Sequence, residues 1–297
     1  MNLSSTFRKT RIAPTPSGFL HLGNVLSFAI TAALAKKTNA SILLRIDDLD
    51  QERTEPEFVQ DIFDTLHYLE IPWDEGPRDY DEYKKEYSQL HRMDLYNRAL
   101  EELTATGNVF ACECSRAEIA RLSTDGAYPG TCEHKNIPLV KKDVSWRLRT
   151  GAALLPPSMK DFVIRKKDGF PSYQLTSVVD DHYFGIDLVV RGEDLRPSTL
   201  AQTWLAQLLP GNPLSDTRFV HHALLSEPSG QKLSKSAGAQ SVQFLRKEGE
   251  KPGDIYSLIA TMLGAAGPAG NFRELAEAAG YFILLLSLCT IAGNALP

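Results

Sequence analysis

From Leu22 to Lys37 the chain reads LGNVLSFAITAALAKK, apolar at nearly every position until two lysines close the run. That pattern predicts a long apolar helix. Ahead of it, TRIAP (10–14) predicts a short strand ending in a loop, and after it ASILLRIDD (40–48) is a β-branched and leucine run of strand type. PEFVQDIFDTLHYLE (56–70) then places Phe58, Ile62, Leu66 and Leu69 at helical spacing. Strand, loop, helix, strand, helix is the order of a parallel sheet with right-handed crossovers.

Further along, YKKEYSQLHRMDLYNRALEELTATG (83–107) predicts one long amphipathic helix, followed by a turn-rich segment containing cysteines. SWRLR (145–149) and DFVIRKKDGFPSYQLTSVVDD (161–181) read as antiparallel strands, with Asp168-Gly169 as a hairpin turn. GIDLVVRGEDL (185–195) returns to strand, RPSTLAQTWLAQLLP (196–210) to helix with Pro197 near its start, and TRFVHHALL (217–225) to strand. SEPSGQKLSKS (226–236) is a polar loop. The whole reads as an α/β core interrupted by an insertion at roughly 105–190 and closed by a helical tail.

Composition narrows the setting. A chain of 297 residues, 43% hydrophobic and 23% charged, is ordinary for a globular protein with one large core and appended pieces. A net charge of -5 provides no global basic field, so a nucleic acid would need a local patch. IRKKDG (164–169) and VKKDVSWRLR (140–149) are the candidates, with solvated hairpin faces as the plainer alternative. The opening residues lack the apolar core of a signal peptide, and four cysteines do not suggest an oxidised scaffold; the expected location is cytoplasmic. AAGYFILLLSLCTIAGNALP (278–297) carries no charged side chain, but Gly280, Ser287, Thr290 and Gly293 interrupt it. A buried helix is expected there rather than a membrane span.

Three groups of residues carry chemistry. In SGFLHLGN, Gly18, His21, Gly23 and Asn24 stand at the start of the first helix, where unpaired N–H groups and the helix dipole favour an anion. His21 would donate to a phosphate oxygen and Gly23 would leave flat space for a nucleobase; a plain capping turn is the alternative. In QKLSKS, Lys232 and Lys235 lie three apart around two hydroxyls, a pattern suited to clamping a triphosphate, or else simply an exposed basic loop. Cys112, Cys114 and Cys132 are spaced for a tetrahedral zinc, with Tyr128 or His134 available for the fourth place.

HLGN followed by KLSKS resembles the HIGH and KMSKS signatures of class I aminoacyl-tRNA synthetases. RIAPTPSGFLHLGN, LLRIDDLD, PWDEGP, VVRGEDL and GQKLSKS resemble the catalytic half of glutamyl-tRNA synthetases, from about Arg11 to Ser236. The resemblance implies an α/β fold: a Rossmann-type parallel sheet with an inserted acceptor-type α+β subdomain carrying the zinc-binding segment, and a short helical C-terminal tail. The expected divisions are 1–105 and 191–240 for the two catalytic halves, 106–190 for the insertion and 241–297 for the tail.

It also implies roles. ATP would be held by Gly18, His21, Gly23, Asn24, Lys232 and Lys235, with Mg2+ accompanying it. His21 and Lys235 would act on the phosphates in the transition state. L-Glutamate would meet Arg11, Ile12, Ala13, Pro14 and Thr15, a hydroxyl from Tyr173, the forked guanidinium of Arg191, and Asp47 at its ammonium group. Asp47 departs from the bacterial glutamyl pattern, where glutamate is usual; aspartate occurs there in glutaminyl and archaeal-type glutamyl enzymes.

YPGTC resembles the small glutamyl-queuosine tRNA(Asp) synthetases, in which a tyrosine completes a structural zinc site of three cysteines. CEH instead resembles the ending found in full-length bacterial glutamyl enzymes. Tyr128 is the preferred fourth ligand. Some sixty residues follow Ser236, short for a helical anticodon-binding region. The small enzymes dock the anticodon loop in the catalytic site and attach glutamate to the modified wobble base of tRNA(Asp). That activity is the expectation, with a monomer and no membrane partner. The alternatives are a truncated enzyme charging the terminal ribose of tRNA(Glu), a non-catalytic paralogue, or a nucleotidyltransferase of related fold.

Overall fold

The computed structural model describes residues 7–123, 125–151, 153–225 and 241–280. In chain order the elements are β1 (Lys9–Ile12), α1 (Leu22–Thr38), β2 (Ser41–Leu44), α2 (Pro56–Tyr68), α3 (Tyr80–Glu82), α4 (Met93–Ala105), β3 (Val109–Cys112), α5 (Arg116–Leu122) and β4 (Ser145–Leu148). Then come β5 (Val163–Arg165), α6 (Tyr173–Tyr183), β6 (Leu188–Gly192), α7 (Arg196–Gln207), β7 (Arg218–His222), α8 (Val242–Lys247), α9 (Pro252–Met262) and α10 (Phe272–Ala278). They form two compact units. One takes the described residues up to Gln89, Ile186–Glu193 and those from Arg218 onward; the other takes Leu90–Gly185 and Asp194–Thr217.

The first unit is built on a parallel sheet of order β2-β1-β6-β7. α1 is buried almost all round, from Leu22 and Val25 to Leu34 and Ala35, because β1 and β6 lie against one side and α9 and α10 against another. Its small residues (Ala29, Ala32, Ala33) let those neighbours approach closely. PWDEGP lies along β2: Asp74 and Glu75 donate their N–H groups to Ile42 O at 2.8 and 3.1 Å, and Leu44 N donates to Glu75 O at 2.9 Å. Gly76 is required there, since its φ is +97° and a Cβ would meet Leu44 O at 2.1 Å.

The second unit holds an antiparallel sheet of order β3-β4-β5, with α4 and α7 packed on α6. A buried cluster ties α4 to α6. Arg92 Nε donates to Asp180 Oδ1 at 2.9 Å, Nη2 to Oδ2 at 3.1 Å, and Tyr96 donates its hydroxyl at 2.8 Å.

Two expectations are corrected. The single helix expected over 83–107 is broken: a π-helical turn (Tyr83–Tyr87) and a 3-10 turn (Gln89–Arg92) precede α4. Asp48 is the cause, since it draws in the Tyr83 hydroxyl at 2.7 Å, Ser88 Oγ at 2.5 Å and the Gln89 N–H at 2.8 Å. A straight helix could not present all three. The second strand expected over 161–181 stops at Arg165, and residues 173–183 form α6 instead. Its β-branched residues suggest a strand, but Leu175 and Val178 are buried at helical spacing together with Asp180. The Asp168-Gly169 reversal is present, with Gly169 N donating to Lys166 O at 3.1 Å. No described helix is long and apolar enough to cross a membrane. The polar loop with Lys232 and Lys235, and the apolar run from Tyr281, lie outside the described residues.

Candidate active site and metal centre

In the parallel sheet the chain passes from β1 to β2 on one side, while β6 pairs on the other. The strand order therefore reverses at β1. In open α/β sheets such a switch point, at the carboxyl ends of the strands, is where ligands bind. Arg11 and Ile12 end β1 there, and Arg191 and Gly192 end β6.

The loop after β1 brings several expected residues to this edge. Arg45 N donates to Ile12 O and Asp47 N to Pro14 O, both at 2.9 Å, so the segments following β1 and β2 stay paired beyond the strands. Arg11 is buried, with Nη1 3.5 Å from Val190 O. Arg191 is buried too, its guanidinium stacked 4.8 Å from the Phe219 ring centre. Asp47 is gripped by Arg45, with Nε donating to Oδ1 at 2.7 Å and Nη2 to Oδ2 at 3.1 Å. A carboxylate so held keeps lone pairs for a cationic partner but cannot swing. Ala13 and Thr15 belong to the same loop. Tyr173 is in the other unit, at the start of α6 and 40% exposed.

His21 caps α1. Its Nδ1 accepts from Gly23 N at 3.1 Å, while the His21 N–H donates to Asn24 Oδ1 at 3.0 Å, which closes a capping box. With Nδ1 accepting, the neutral ring carries its proton on Nε2 and is a donor there. Gly23 has a local reason as well: a Cβ would lie 3.0 Å from the His21 ring. At Gly18 a Cβ would meet no atom of the described residues within 4 Å. Asp61 of α2 fixes the loop by accepting from Leu20 N at 3.1 Å. Burial raises its carboxyl above the ordinary value, partly offset by that hydrogen bond and by Arg246.

Sequence reasoning missed these supports. Arg45 lies within LLRIDDLD without a role assigned to it there, and Asp61 and His222 fall in no motif. His222, at the end of β7, meets Ser27 of α1 at 2.5 Å through Nε2, and its Nδ1 lies 2.9 Å from Ala223 O. Beyond the undescribed loop, Val242 N donates to Leu20 O at 2.8 Å, and Ser241 bridges His21.

In the second unit Cys112, Cys114 and Cys132 offer sulfur atoms that all lie within 4.8 Å of one another, with Cys114 and Cys132 at 3.6 Å. Four ligands around zinc at ~2.3 Å would set sulfurs roughly 3.8 Å apart, so the donor set fits. Tyr128 is buried beside them, and its hydroxyl accepts from Cys132 N at 2.8 Å. His134 points to solvent, with a side chain 88% exposed and Nε2 3.8 Å from Glu133. Burial tends to raise the Cys112 thiol, but hydrogen bonds from Tyr128 and Arg147 and the charge of Arg147 prevail and bring it down. Burial, the Cys132 hydrogen bond and the charge on Cys112 push Cys114 up to about 11. The two basic runs meet here: Lys141 pairs with the Glu113 side chain, and Lys167 donates to the Glu113 carbonyl.

A family model for the catalytic domain of class I tRNA synthetases (E and Q) matches residues 8–137 and 150–281. The chain belongs to that family, on the branch whose members carry the name Glutamyl-Q tRNA(Asp) synthetase. One such protein, from Parasynechococcus marenigrum (strain WH8102), is 38% identical over 268 residues, covering 89% of this chain and 86% of that protein. A Glutamate--tRNA ligase 2 from Nitrosococcus oceani is 32% identical, covering 95% of this chain and 64% of that protein. The crystal structure of a glutamate-tRNA synthetase from Elizabethkingia anophelis shares the fold, with a TM-score of 0.71 at 23% identity over 94% of this chain and 70% of that one.

Proposed function

We propose that this chain activates L-glutamate with ATP and transfers it to the queuosine base in the anticodon of tRNA(Asp). The observation that carries the reading is a pair of buried guanidinium groups, Arg11 and Arg191, at the carboxyl ends of neighbouring parallel strands. A buried guanidinium fork is the natural partner of a carboxylate, and it distinguishes glutamate from glutamine by charge. The branch on which the chain falls supports the acceptor.

In the first step an oxygen of the glutamate α-carboxylate attacks the α-phosphorus of ATP, and the bond to the bridging oxygen breaks as pyrophosphate leaves. Arg191 takes the side-chain carboxylate. Asp47, locked by Arg45, faces the ammonium group, and the backbone of Ile12, Ala13, Pro14 and Thr15 closes the pocket beside Arg11. His21, donating from Nε2, and Lys235 neutralise charge on the phosphates as it develops, with Lys232 in support. Gly18, Gly23 and Asn24 let the nucleotide approach the start of α1. Mg2+ accompanies ATP. In the second step a hydroxyl of the modified base attacks the acyl carbon, and AMP leaves.

Cys112, Cys114, Cys132 and Tyr128 hold one zinc ion, which when bound cross-links the turn-rich segment after β3 to its sheet. Residues 106–190, most of which lie in the second unit, make up the inserted acceptor-type subdomain, and α8, α9 and α10 the helical tail. The enzyme works in the cytoplasm as a monomer.

The experiment is transfer of labelled glutamate to modified tRNA(Asp) and to tRNA(Glu), preceded by ATP–pyrophosphate exchange with each amino acid. Label on tRNA(Asp) that depends on the queuosine base is expected. Label on tRNA(Glu) alone would favour the second reading, terminal charging, which the resemblance to Glutamate--tRNA ligase 2 supports. Arg191→Leu should raise the KM for glutamate by at least ~100-fold, since it leaves the side-chain carboxylate unpaired in the pocket. An unchanged KM would remove Arg191 from the site.

A further inference from the structure

β3 and β4 pair with Phe110 opposite Arg147 and Cys112 opposite Ser145. Alternation along the strands puts all four residues on one face of the ribbon. Arg147 is 8% exposed. Its guanidinium carbon lies 3.9 Å from the centre of the Tyr128 ring, and Nη1 donates to Asp161 O at 2.7 Å. Nε is buried without an acceptor. Arg149, two residues on, pairs with Glu133, whereas no carboxylate of the described residues pairs with Arg147. Arginine keeps its charge at any relevant pH, and a buried charge without a counter-charge is costly.

The anionic chemistry within reach is the cysteine cluster. A divalent cation on three thiolates carries a net charge of −1, and −2 if the fourth ligand is a phenolate. We infer that Arg147 is the counter-charge of the loaded metal centre and holds Tyr128 against it. The guanidinium lies over the tyrosine face, fixing the ring so that its oxygen stays on the sulfur cluster, and offsets the surplus negative charge that metal binding leaves. This rests on the reading that the cluster holds zinc. It makes Arg147 a positioning residue, acting through Tyr128 and the thiolates rather than touching the metal.

The test uses the full chain and its Arg147→Met and Arg147→Lys variants. Zinc affinity is measured by competition with a chromophoric chelator. Co2+ substituted for zinc reports the ligand field through its visible and charge-transfer bands, and far-UV circular dichroism checks the fold. Arg147→Met should weaken Zn2+ binding by about 10- to 100-fold, the range seen when groups supporting a ligand are removed, and should shift the Co2+ bands. Arg147→Lys, which keeps charge but loses the planar stack, should fall between. If Arg147→Met does not fold, Arg147→Lys decides, with a weakened affinity and altered bands expected. Wild-type affinity together with an unchanged Co2+ spectrum in the folded variants would overturn the inference. A wild-type chain that binds no zinc would instead overturn the zinc reading itself, so the two failures are distinguishable.

Discussion

The two units differ in how buried charge is handled at their candidate sites. In the parallel-sheet unit the buried carboxylates are already satisfied from within: Asp47 by Arg45, Asp48 by Tyr83, Ser88 and the Gln89 backbone, Asp61 by the Leu20 N–H. In the antiparallel unit Asp180 is satisfied likewise, by Arg92 and Tyr96, but at the cysteine cluster three sulfur atoms gather near a buried guanidinium, Arg147, that no carboxylate of the described residues pairs with. The first arrangement is preorganised, its dipoles set before substrate arrives, which is what electrostatic catalysis requires. The second, on the zinc reading proposed above, would gain part of its order from the bound ion, as small metal-stapled segments do.

That contrast can be broken by experiment, most forcefully in the second unit. Cys112→Ser should abolish zinc binding and destabilise that unit by on the order of 4 kcal/mol, since loss of a metal is among the few causes of so large an effect. Metal analysis and a thermal scan check this, and an unchanged melting profile would mean that the cluster stabilises nothing. Next in size is Lys235→Ala. It should slow adenylate formation by ~10²- to 10³-fold while glutamate binding and melting temperature hold, as pyrophosphate exchange and calorimetry would show. Equal losses in binding and rate would place the lysine in ground-state binding instead.

A smaller effect is expected at the kink before α4. Tyr83→Phe removes one donor from buried Asp48 and should cost ~2 kcal/mol in chemical denaturation, as for a hydrogen bond to a charged group. A cost near zero would show that Ser88 and Gln89 suffice. The smallest concerns Asp61. Its pKa is raised in the folded state, so just above its ordinary value of 3.8 the folded chain binds more protons than the unfolded one. Stability from this group therefore falls as pH rises through that window. Asp61→Asn keeps an acceptor for Leu20 N–H and removes the titration. It should gain on the wild type, by less than ~1 kcal/mol, as pH climbs from 3.8 and then level off. A gain on acidification would reverse the assigned sign.

Much of the sheet unit was legible because its signals are local. A largely apolar run ending in Lys36 and Lys37 admits little but a buried helix, and the β-branched runs of β2 and β6 sit where strands were expected. The helix start was legible too, since His21 and Asn24 close a capping box there, the plainer of the two readings of that loop. What escaped notice depends on distant partners. Nothing in YKKEYSQLHR announces that Asp48, 35 to 41 residues away, will bend it. The Arg45–Asp47 clasp needs a loop conformation that no periodicity encodes. In α6 the β-branched residues spoke for a strand, and the packing of Leu175 and Val178, with Asp180 pinned by Arg92, overruled them.

His222 fastens the chain leaving β7 to Ser27, and Val242 fastens the chain entering α8 to Leu20; both anchor points lie within two turns of the start of α1. Lys232 and Lys235 fall between these two moorings. The start of α1 is therefore held from both sides of that span, by the end of β7 through Ser27 and by the start of α8 through Leu20. A change at Ser27 or Leu20 would thus reach the helix start and a segment far along the chain together, so one short stretch around the start of α1 answers to two remote parts of the sequence.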